Sequence, residues 1–187
     1  NKDPTTIPGV ISRGKDSLID KGIAPVIKDI DNLPMPEREK FWGISESERK
    51  NVDNKLVSLG YGRPTGFAVD PIEKKPLSHF LPGTEVLSFG TAGCNLGCKF
   101  CQNWSISKAK IDTIEALYCT PEDVIEIAKK YKTPSIAFTY NDPTIFGEYV
   151  EDIAVLAREE GIKSVMVTAG YIDKEARKDI YKNIDAA

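Results

Sequence analysis

Cys94, Cys98 and Cys101 carry the clearest chemical signal in the chain: three of its four cysteines fall within eight positions. A strand would send Cys101 to the face opposite Cys94 and Cys98, so the three do not all serve one strand face in a core. Gly90, Gly93 and Gly97 punctuate the stretch and let the backbone wrap tightly. The expected structure is a loop folded round a metal centre. The spacing is Cys-x3-Cys-x2-Cys, whereas structural zinc sites usually pair Cys-x2-Cys knuckles and close with four ligands. No fourth Cys or His lies nearby. Cys119 reads as a plain buried thiol, and His79, beside Phe80 and Leu81, reads as structural. Three thiolates suit a [4Fe–4S] cluster, which normally takes four protein thiolates. Three leave one iron open to bind a substrate or cofactor. The alternative from another class is a non-catalytic module, either a zinc-stabilised loop or an electron-carrying iron–sulfur protein.

The rest of the composition narrows the setting. At 187 residues the chain fits one domain, or one with an appendage. Apolar residues at 41% and charged ones at 28% suit a soluble globular protein. A net charge of −3 offers no basic footprint for nucleic acid. No apolar run approaches a membrane span, and no signal peptide is visible. Crowded cysteines without a secretion signal favour metal ligation in a reducing cytoplasm over disulfides.

The elements that must position the cysteines emerge from residue 85 onward. Val86-Leu87-Ser88-Phe89 reads as a strand running into the cysteine loop. Thr120 can cap a helix, Pro121 suits its first position, and Asp123 offers the acidic partner of a capping box. Val124, Ile127, Ala128 and Tyr131 follow on one face, and Pro134 ends the helix. Residues 135–140 form the next strand. Asp142-Pro143-Thr144 turns into a helix carrying Ile145, Tyr149, Ile153, Leu156 and Ala157, which Gly161 stops. Residues 164–168 form a third strand, nearly continuous in apolar character. Asp173 caps a last helix through about Tyr181. This βα alternation with short connections predicts an α/β fold with a parallel sheet and right-handed crossovers.

The unusual polar residues then fall at the C-terminal ends of strands. The cysteine loop follows the first, Thr139-Tyr140-Asn141-Asp142 the second and Thr168-Ala169-Gly170-Tyr171 the third. Ligands of parallel α/β proteins bind at that edge, so three polar loops there suggest one site.

At this point the chain resembles the radical S-adenosylmethionine (radical SAM) enzymes. Cys94-x3-Cys98-x-Phe100-Cys101 is similar to their signature, including the aromatic residue before the third cysteine. The resemblance is closer to the AmmeMemoRadiSam-system branch, which is similar to pyruvate formate-lyase activating enzymes. It rests on Tyr61-Gly62-Arg63-Pro64, Asp70-Pro71-Ile72-Glu73-Lys74-Lys75-Pro76-Leu77, His79-Phe80-Leu81-Pro82-Gly83, the cysteine loop through Trp104, and Ala137 to Thr144. It covers about two thirds of the chain, from roughly Leu56 onward.

The resemblance implies a partial parallel (β/α) barrel, with a [4Fe–4S] cluster held by Cys94, Cys98 and Cys101. The methionyl amino and carboxylate groups of SAM would chelate the fourth iron. The implied activity is reductive cleavage of SAM to a 5′-deoxyadenosyl radical that abstracts hydrogen from a substrate. It implies an electron donor such as flavodoxin or ferredoxin, and leaves a protein or a small molecule open as substrate. Phe100 would lie against the adenine, Asn141 and Asp142 near the SAM amino group, and Thr168 and Gly170 near the ribose or carboxylate. Gln102, Asn103 and Trp104 would shield or tune the cluster, with core packing the alternative for Trp104. No catalytic side chain beyond the cluster is assigned.

Three departures stand out. Asp142 takes the place of a more usual Glu, Ala169 that of Asn, and no cysteine-rich segment precedes the match. The expected organisation is an N-terminal extension over 1–54, a lead-in over 55–84, and the N-terminal part of the radical SAM core over 85–187. The core is expected to be truncated at its C-terminus, because the chain closes just after a helical pattern. Within the extension, residues 16–30 read as loosely helical, residues 33–36 as a breaker and residues 45–50 as a solvated charged run. The charges of Asp70, Glu73, Lys74 and Lys75 read as a solvated face of a proline-bounded loop.

Overall fold

The computed structural model describes residues 11–13, 18–20, 49–52, 55–114 and 118–187, with side chains from residue 58 onward outside 115–117. The chain divides between Pro34 and Met35 into two units. In the first, β1 (Ile11–Arg13) and β2 (Leu18–Asp20) form an antiparallel pair. Leu18 and Ile19, expected in a loose helix, therefore lie in a strand. The rest of that predicted helix and the breaker at 33–36 lie outside the described residues. In the second unit, β3 (Arg49–Val52) pairs antiparallel with β4 (Lys55–Ser58). Arg49 and Lys50, expected in a solvated run, thus belong to a strand.

The main body of the second unit is one four-stranded sheet in the order β5-β6-β7-β8. β5 (Pro64–Pro71) runs antiparallel to β6 (Glu85–Thr91), while β6, β7 (Ser135–Phe138) and β8 (Lys163–Met166) are parallel. A short helix, α1 (Trp104–Ser107), follows the cysteine loop. Then α2 (Pro121–Tyr131) links β6 to β7, α3 (Gly147–Glu159) links β7 to β8, and α4 (Lys174–Tyr181) follows β8. Beyond α4 the chain returns to the sheet, where Met166 N–H donates to the Ala186 carbonyl in a parallel bridge. This is a mixed α/β fold. The antiparallel β5 is the departure from the all-parallel sheet expected. Hairpin pairing suits it because the connection from β5 to β6 carries no crossover helix.

Local chemistry explains the helix ends. The Thr120 side chain accepts from Asp123 N–H while the Asp123 carboxylate accepts from Thr120 N–H, a complete capping box behind Pro121. The helix stops at Lys132, in the left-handed region at φ 56°, two residues before Pro134. Asp173 caps α4 by accepting from Glu175 N–H.

Strand alternation divides the core. Leu87, Phe89, Ile136, Phe138 and Met166 turn to one face and pack against Val124, Ile125 and Ala128 of α2 and Tyr149, Val150 and Ile153 of α3. Phe89 is the hub, with ring centroids 5.2 Å from Phe67, 5.6 Å from Phe138 and 5.9 Å from Tyr149. The other face carries Val86, Ala137 and Val165, covered by Ile72, Leu77 and Phe80 from the connection after β5. A strand buried on both faces needs the near-continuous apolar run seen in the sequence. Burying a large apolar side chain such as Phe89 contributes about 1.5–3 kcal/mol. Phe89 immediately precedes the glycine that opens the site loop, so the core fixes where that loop begins.

Gly90 is required by close approach. A Cβ there would stand 2.3 Å from the Thr139 carbonyl oxygen and 2.6 Å from Asn141 Oδ1. At Gly147 a Cβ would meet only the Ile180 side chain, whose δ-methyl at 2.3 Å can turn aside. Gly90→Ala is therefore expected to lose about 1–3 kcal/mol by overpacking. Gly147→Ala should lose less, since alanine's helix propensity offsets part of the crowding. Urea unfolding midpoints check this, and a lower midpoint for Gly147→Ala than for Gly90→Ala would contradict it.

Candidate metal centre and cofactor cavity

The exits of three parallel strands wall one cavity of about 310 Å³. Cys94, Cys98 and Cys101 line it from the loop after β6. Thr139, Tyr140, Asn141 and Asp142 line it from the loop after β7, and Val167, Thr168 and Ala169 from that after β8. Cys98 is exposed, and Cys94 and Cys101 are half-buried. Among the described residues no three His, Cys, Asp or Glu side chains are grouped round one metal ion. The thiols stand instead along a shared cavity wall.

The cysteine loop is held by named bonds. Thr91 N–H donates to Asn141 Oδ1 at 3.2 Å. The Asn141 amide donates back to Thr91 Oγ1 at 3.0 Å and to the Gly93 carbonyl at 2.7 Å. Gly93 has φ 87°, and its N–H donates to the Ile106 carbonyl, tying the loop to α1. Asp142 N–H donates to Cys94 Sγ at 3.4 Å, and Ser107 Oγ lies 3.3 Å from Cys101 Sγ. Burial pushes the Cys94 thiol up, opposed by the N–H groups of Asp142 and Leu96.

Asp142 joins the other two loops. Its carboxylate accepts from Thr144 N–H at 3.1 Å and Ala169 N–H at 2.9 Å, and from the Thr144 hydroxyl. Thr168 Oγ1 lies 3.1 Å from both carboxylate oxygens and accepts from Gly170 N–H at 3.0 Å. The shorter Asp side chain, noted as a departure, thus folds back to cap the turn that follows it. Where Ala169 lacks an amide side chain, its backbone N–H supplies the polar contact.

Of the residues singled out in sequence, the cavity wall brings together Cys94, Cys98, Cys101, Asn103, Asn141, Asp142 and Thr168. Phe100 and Gly170 do not line it, although each adjoins a loop that does, and Phe100 is 88% exposed. Trp104 is 67% exposed, which overturns core packing for it. His79 is exposed, so it serves no core either. Cys119 is buried in the main core, as expected of a plain thiol. No helix among the described residues is long and apolar enough to cross a membrane.

Sequence reasoning missed Ser107 and Lys108, which also line the cavity. It also misread the charges after β5. Asp70 is 6% and Lys75 3% exposed, and the two are bonded at 2.7 Å. Lys74 reaches the other carboxylate oxygen at 2.6 Å, and the Tyr140 hydroxyl donates to Asp70 at 2.9 Å. The solvated-face expectation holds for the exposed Glu73 and Lys74 and fails for Asp70 and Lys75, because two lysines and a phenol enclose one carboxylate. The signal available was the spacing, since Lys74 and Lys75 follow Asp70 by four and five residues. Burial pushes the Asp70 carboxyl up, but the bonds from Lys74, Lys75 and Tyr140 outweigh it and hold the group well below the usual range. Tyr140 is pushed up to about 12 by burial, then by its bond to Asp70 and that group's charge. It remains a donor at neutral pH.

A mixed α/β sheet whose three parallel strands end at one cavity, with three thiols and two further polar loops round it, fits a cofactor-binding protein. The chain belongs to the radical SAM superfamily, whose family model matches residues 89–186. Membership implies a [4Fe–4S] cluster and SAM. The chain is 47% identical over 130 residues to "Uncharacterized protein MJ0808" of Methanocaldococcus jannaschii, covering 70% of this chain and 39% of that protein. It is 32% identical over 87 residues to "Uncharacterized protein MJ0674" of the same organism, covering 44% of this chain and 21% of that protein. The chain therefore spans well under half the length of these relatives.

Asp70→Asn is expected to lower stability by about 1.5–3 kcal/mol at neutral pH, as for a hydrogen bond to a charged group. The folded carboxyl lies below its unfolded value. Its contribution is therefore complete above about pH 4 and is lost as pH falls toward the folded value. Urea midpoints of parent and variant should be well separated at pH 7 and 5 and measurably closer at pH 3. A separation that stays constant to pH 3 would refute the assignment.

Proposed function

We propose that Cys94, Cys98 and Cys101 hold a [4Fe–4S] cluster and that SAM occupies the adjoining cavity. The observation that carries this reading is the meeting of three thiols with two further strand-end loops round one cavity. The donor set fits the group: three soft thiolates for three irons, and no fourth protein ligand among the cavity-lining residues. When bound, the cluster supplies an electron to the SAM sulfonium, which yields the 5′-deoxyadenosyl radical.

The chain's own residues provide the setting. Asp142 N–H and the Ser107 hydroxyl are placed to donate to two of the three ligand sulfurs. Such bonds stabilise negative charge on sulfur and so raise a cluster's potential. Asn141 and Asp142 lie on the SAM side in this reading, with Thr168 and Gly170 following β8 and Phe100 flanking the third cysteine. An ammonium drawn to Asp142 has to share its oxygens with the four donors already there. The role of Asn141 is to fix the cysteine loop, since its amide is engaged by Thr91 and Gly93.

The whole protein is read as a radical SAM enzyme of the AmmeMemoRadiSam branch, similar to pyruvate formate-lyase activating enzymes. Its barrel would be completed by βα units beyond this chain, after an extension over 1–54, a lead-in over 55–84 and the core from 85. A flavodoxin or ferredoxin would donate the electron in a cytoplasmic setting. A glycyl-radical activase would act on a partner protein's backbone; other branches act on small molecules.

Anaerobic reconstitution should give about four irons and four sulfides per chain. With SAM and a strong reductant, the full-length protein should release 5′-deoxyadenosine. Cys98→Ser should lose the cluster. Colourless protein with tightly held zinc, or full iron content in Cys98→Ser, would sink the cluster. A reconstituted full-length protein that binds SAM but never cleaves it would sink the enzymatic reading.

A further inference from the structure

Tyr140 is a bulky residue in the left-handed region, at φ 72°. That conformation costs an L-residue roughly 1–2 kcal/mol and persists only where its surroundings over-determine it. Here they do so from three sides. The phenol donates to Asp70 Oδ2 at 2.9 Å. The Lys75 ammonium sits 5.0 Å from the ring centroid, within cation–π range. On the backbone side, the bare face of Gly90 lies against it, since a Cβ there would be 3.3 Å from Tyr140 Cβ. Asp70 and Lys75 are themselves buried and bonded to each other. The anchor is therefore rigid.

The turn at Tyr140 decides what its two successors touch. Asn141 turns back to Thr91 and Gly93 behind the cysteine loop. Asp142 turns to Thr168 and Ala169 with its N–H on Cys94 Sγ. Tyr140 itself lines the cavity. An ion pair between the end of β5 and the connection after it is thus linked, through one side chain, to all three loops of the site.

We propose that the Asp70–Lys75 pair is a positioning device for the SAM cavity that acts through Tyr140. It holds the left-handed turn that aims Asn141 at the cysteine loop and Asp142 at the loop after β8. Asp70 and Tyr140 are positioning residues for SAM binding, and the hydrogen bond between them transmits the effect. This inference rests on the reading that SAM occupies the cavity.

The test is a double-mutant cycle on SAM affinity in reconstituted protein of matched iron content. Tyr140→Phe removes only the hydroxyl and keeps the ring under Lys75, so it should still fold cooperatively, with an unfolding temperature lowered by the loss of one hydrogen bond. Its SAM dissociation constant should rise about tenfold, the scale of one hydrogen bond to a charged group. Asp70→Ala, which removes the acceptor of that bond, should raise it by a similar factor. The double variant should also rise about tenfold rather than a hundredfold, because both changes break the same bond. The change that SAM produces in the electron paramagnetic resonance signal of the reduced cluster should weaken in the same variants. SAM affinity of Tyr140→Phe within twofold of the parent would overturn the positioning role alone. Multiplicative effects in the double variant would do the same. A parent that carries about four irons yet shows no response to SAM would overturn both this inference and the cavity reading.

Discussion

Two strand exits lie close enough to share one carboxamide, and most of the site follows from that contact. Asn141 closes three hydrogen bonds with Thr91 and Gly93, each a buried backbone or hydroxyl group that water cannot reach. Leaving one such group unpaired costs about 1–3 kcal/mol, so the amide has little freedom to turn elsewhere. The contact requires Gly90, because any Cβ would push the Thr139 carbonyl and the Asn141 oxygen away. A residue without a side chain on β6 and a residue with the right side chain after β7 therefore act as one unit. Together they set where Cys94 leaves the sheet.

Around this contact the molecule is layered by size. On the helix face, Phe89, Phe138 and Tyr149 fill the space between sheet and helices with large rings in tilted contact. On the opposite face the strands present Val86, Ser88 and Ala137, smaller groups that let the connection after β5 lie close. That connection brings Asp70 and Lys75 under Tyr140. The antiparallel β5 thus has a consequence beyond sheet pairing: it delivers a buried ion pair to the underside of the site. A buried pair alone is weak evidence of stabilisation, since desolvation offsets its attraction. Here the phenol and a second lysine satisfy the remaining acceptor capacity.

What could be read from sequence followed the range of the interaction. The capping box of Thr120 and Asp123, the stop beyond Tyr131 and the cap at Asp173 each join residues two to four apart, and all are present. The nearly continuous apolar run at 164–168 announced burial on both faces, and Val165 and Met166 are buried on opposite sides of β8. The three cysteines and the two polar loops were legible because strand order and loop position follow from the βα alternation. The partners of Asn141 lie 48 and 50 residues away, and the Tyr140–Asp70 bond spans 70. No local pattern encodes such pairings, so the burial of Asp70 under Tyr140 could not be read, although its spacing from Lys74 and Lys75 could. Only the core-packing alternative for Trp104 failed, for the opposite reason: its size suggests burial, yet α1 is one turn long and leaves it 67% exposed.

The Asp142 carboxylate serves at once as a charge on the cavity wall and as a tie between two loops. An Asp at the head of a turn reaches the N–H two residues on, as Asp142 reaches Thr144. A Glu would carry its oxygens farther from that N–H and leave the cap unmade. In this chain the cap takes one side of the carboxylate, and Thr168 and Ala169 take the other. A carboxylate has about four lone-pair positions, and protein donors here occupy that number. Its negative charge still acts through space on the cavity, while its hydrogen-bonding directions are spent on holding two loops together. The charge and the scaffold therefore reside in one side chain. Its geometry depends in turn on Tyr140, the residue before it, keeping a backbone conformation that only its buried partners make stable.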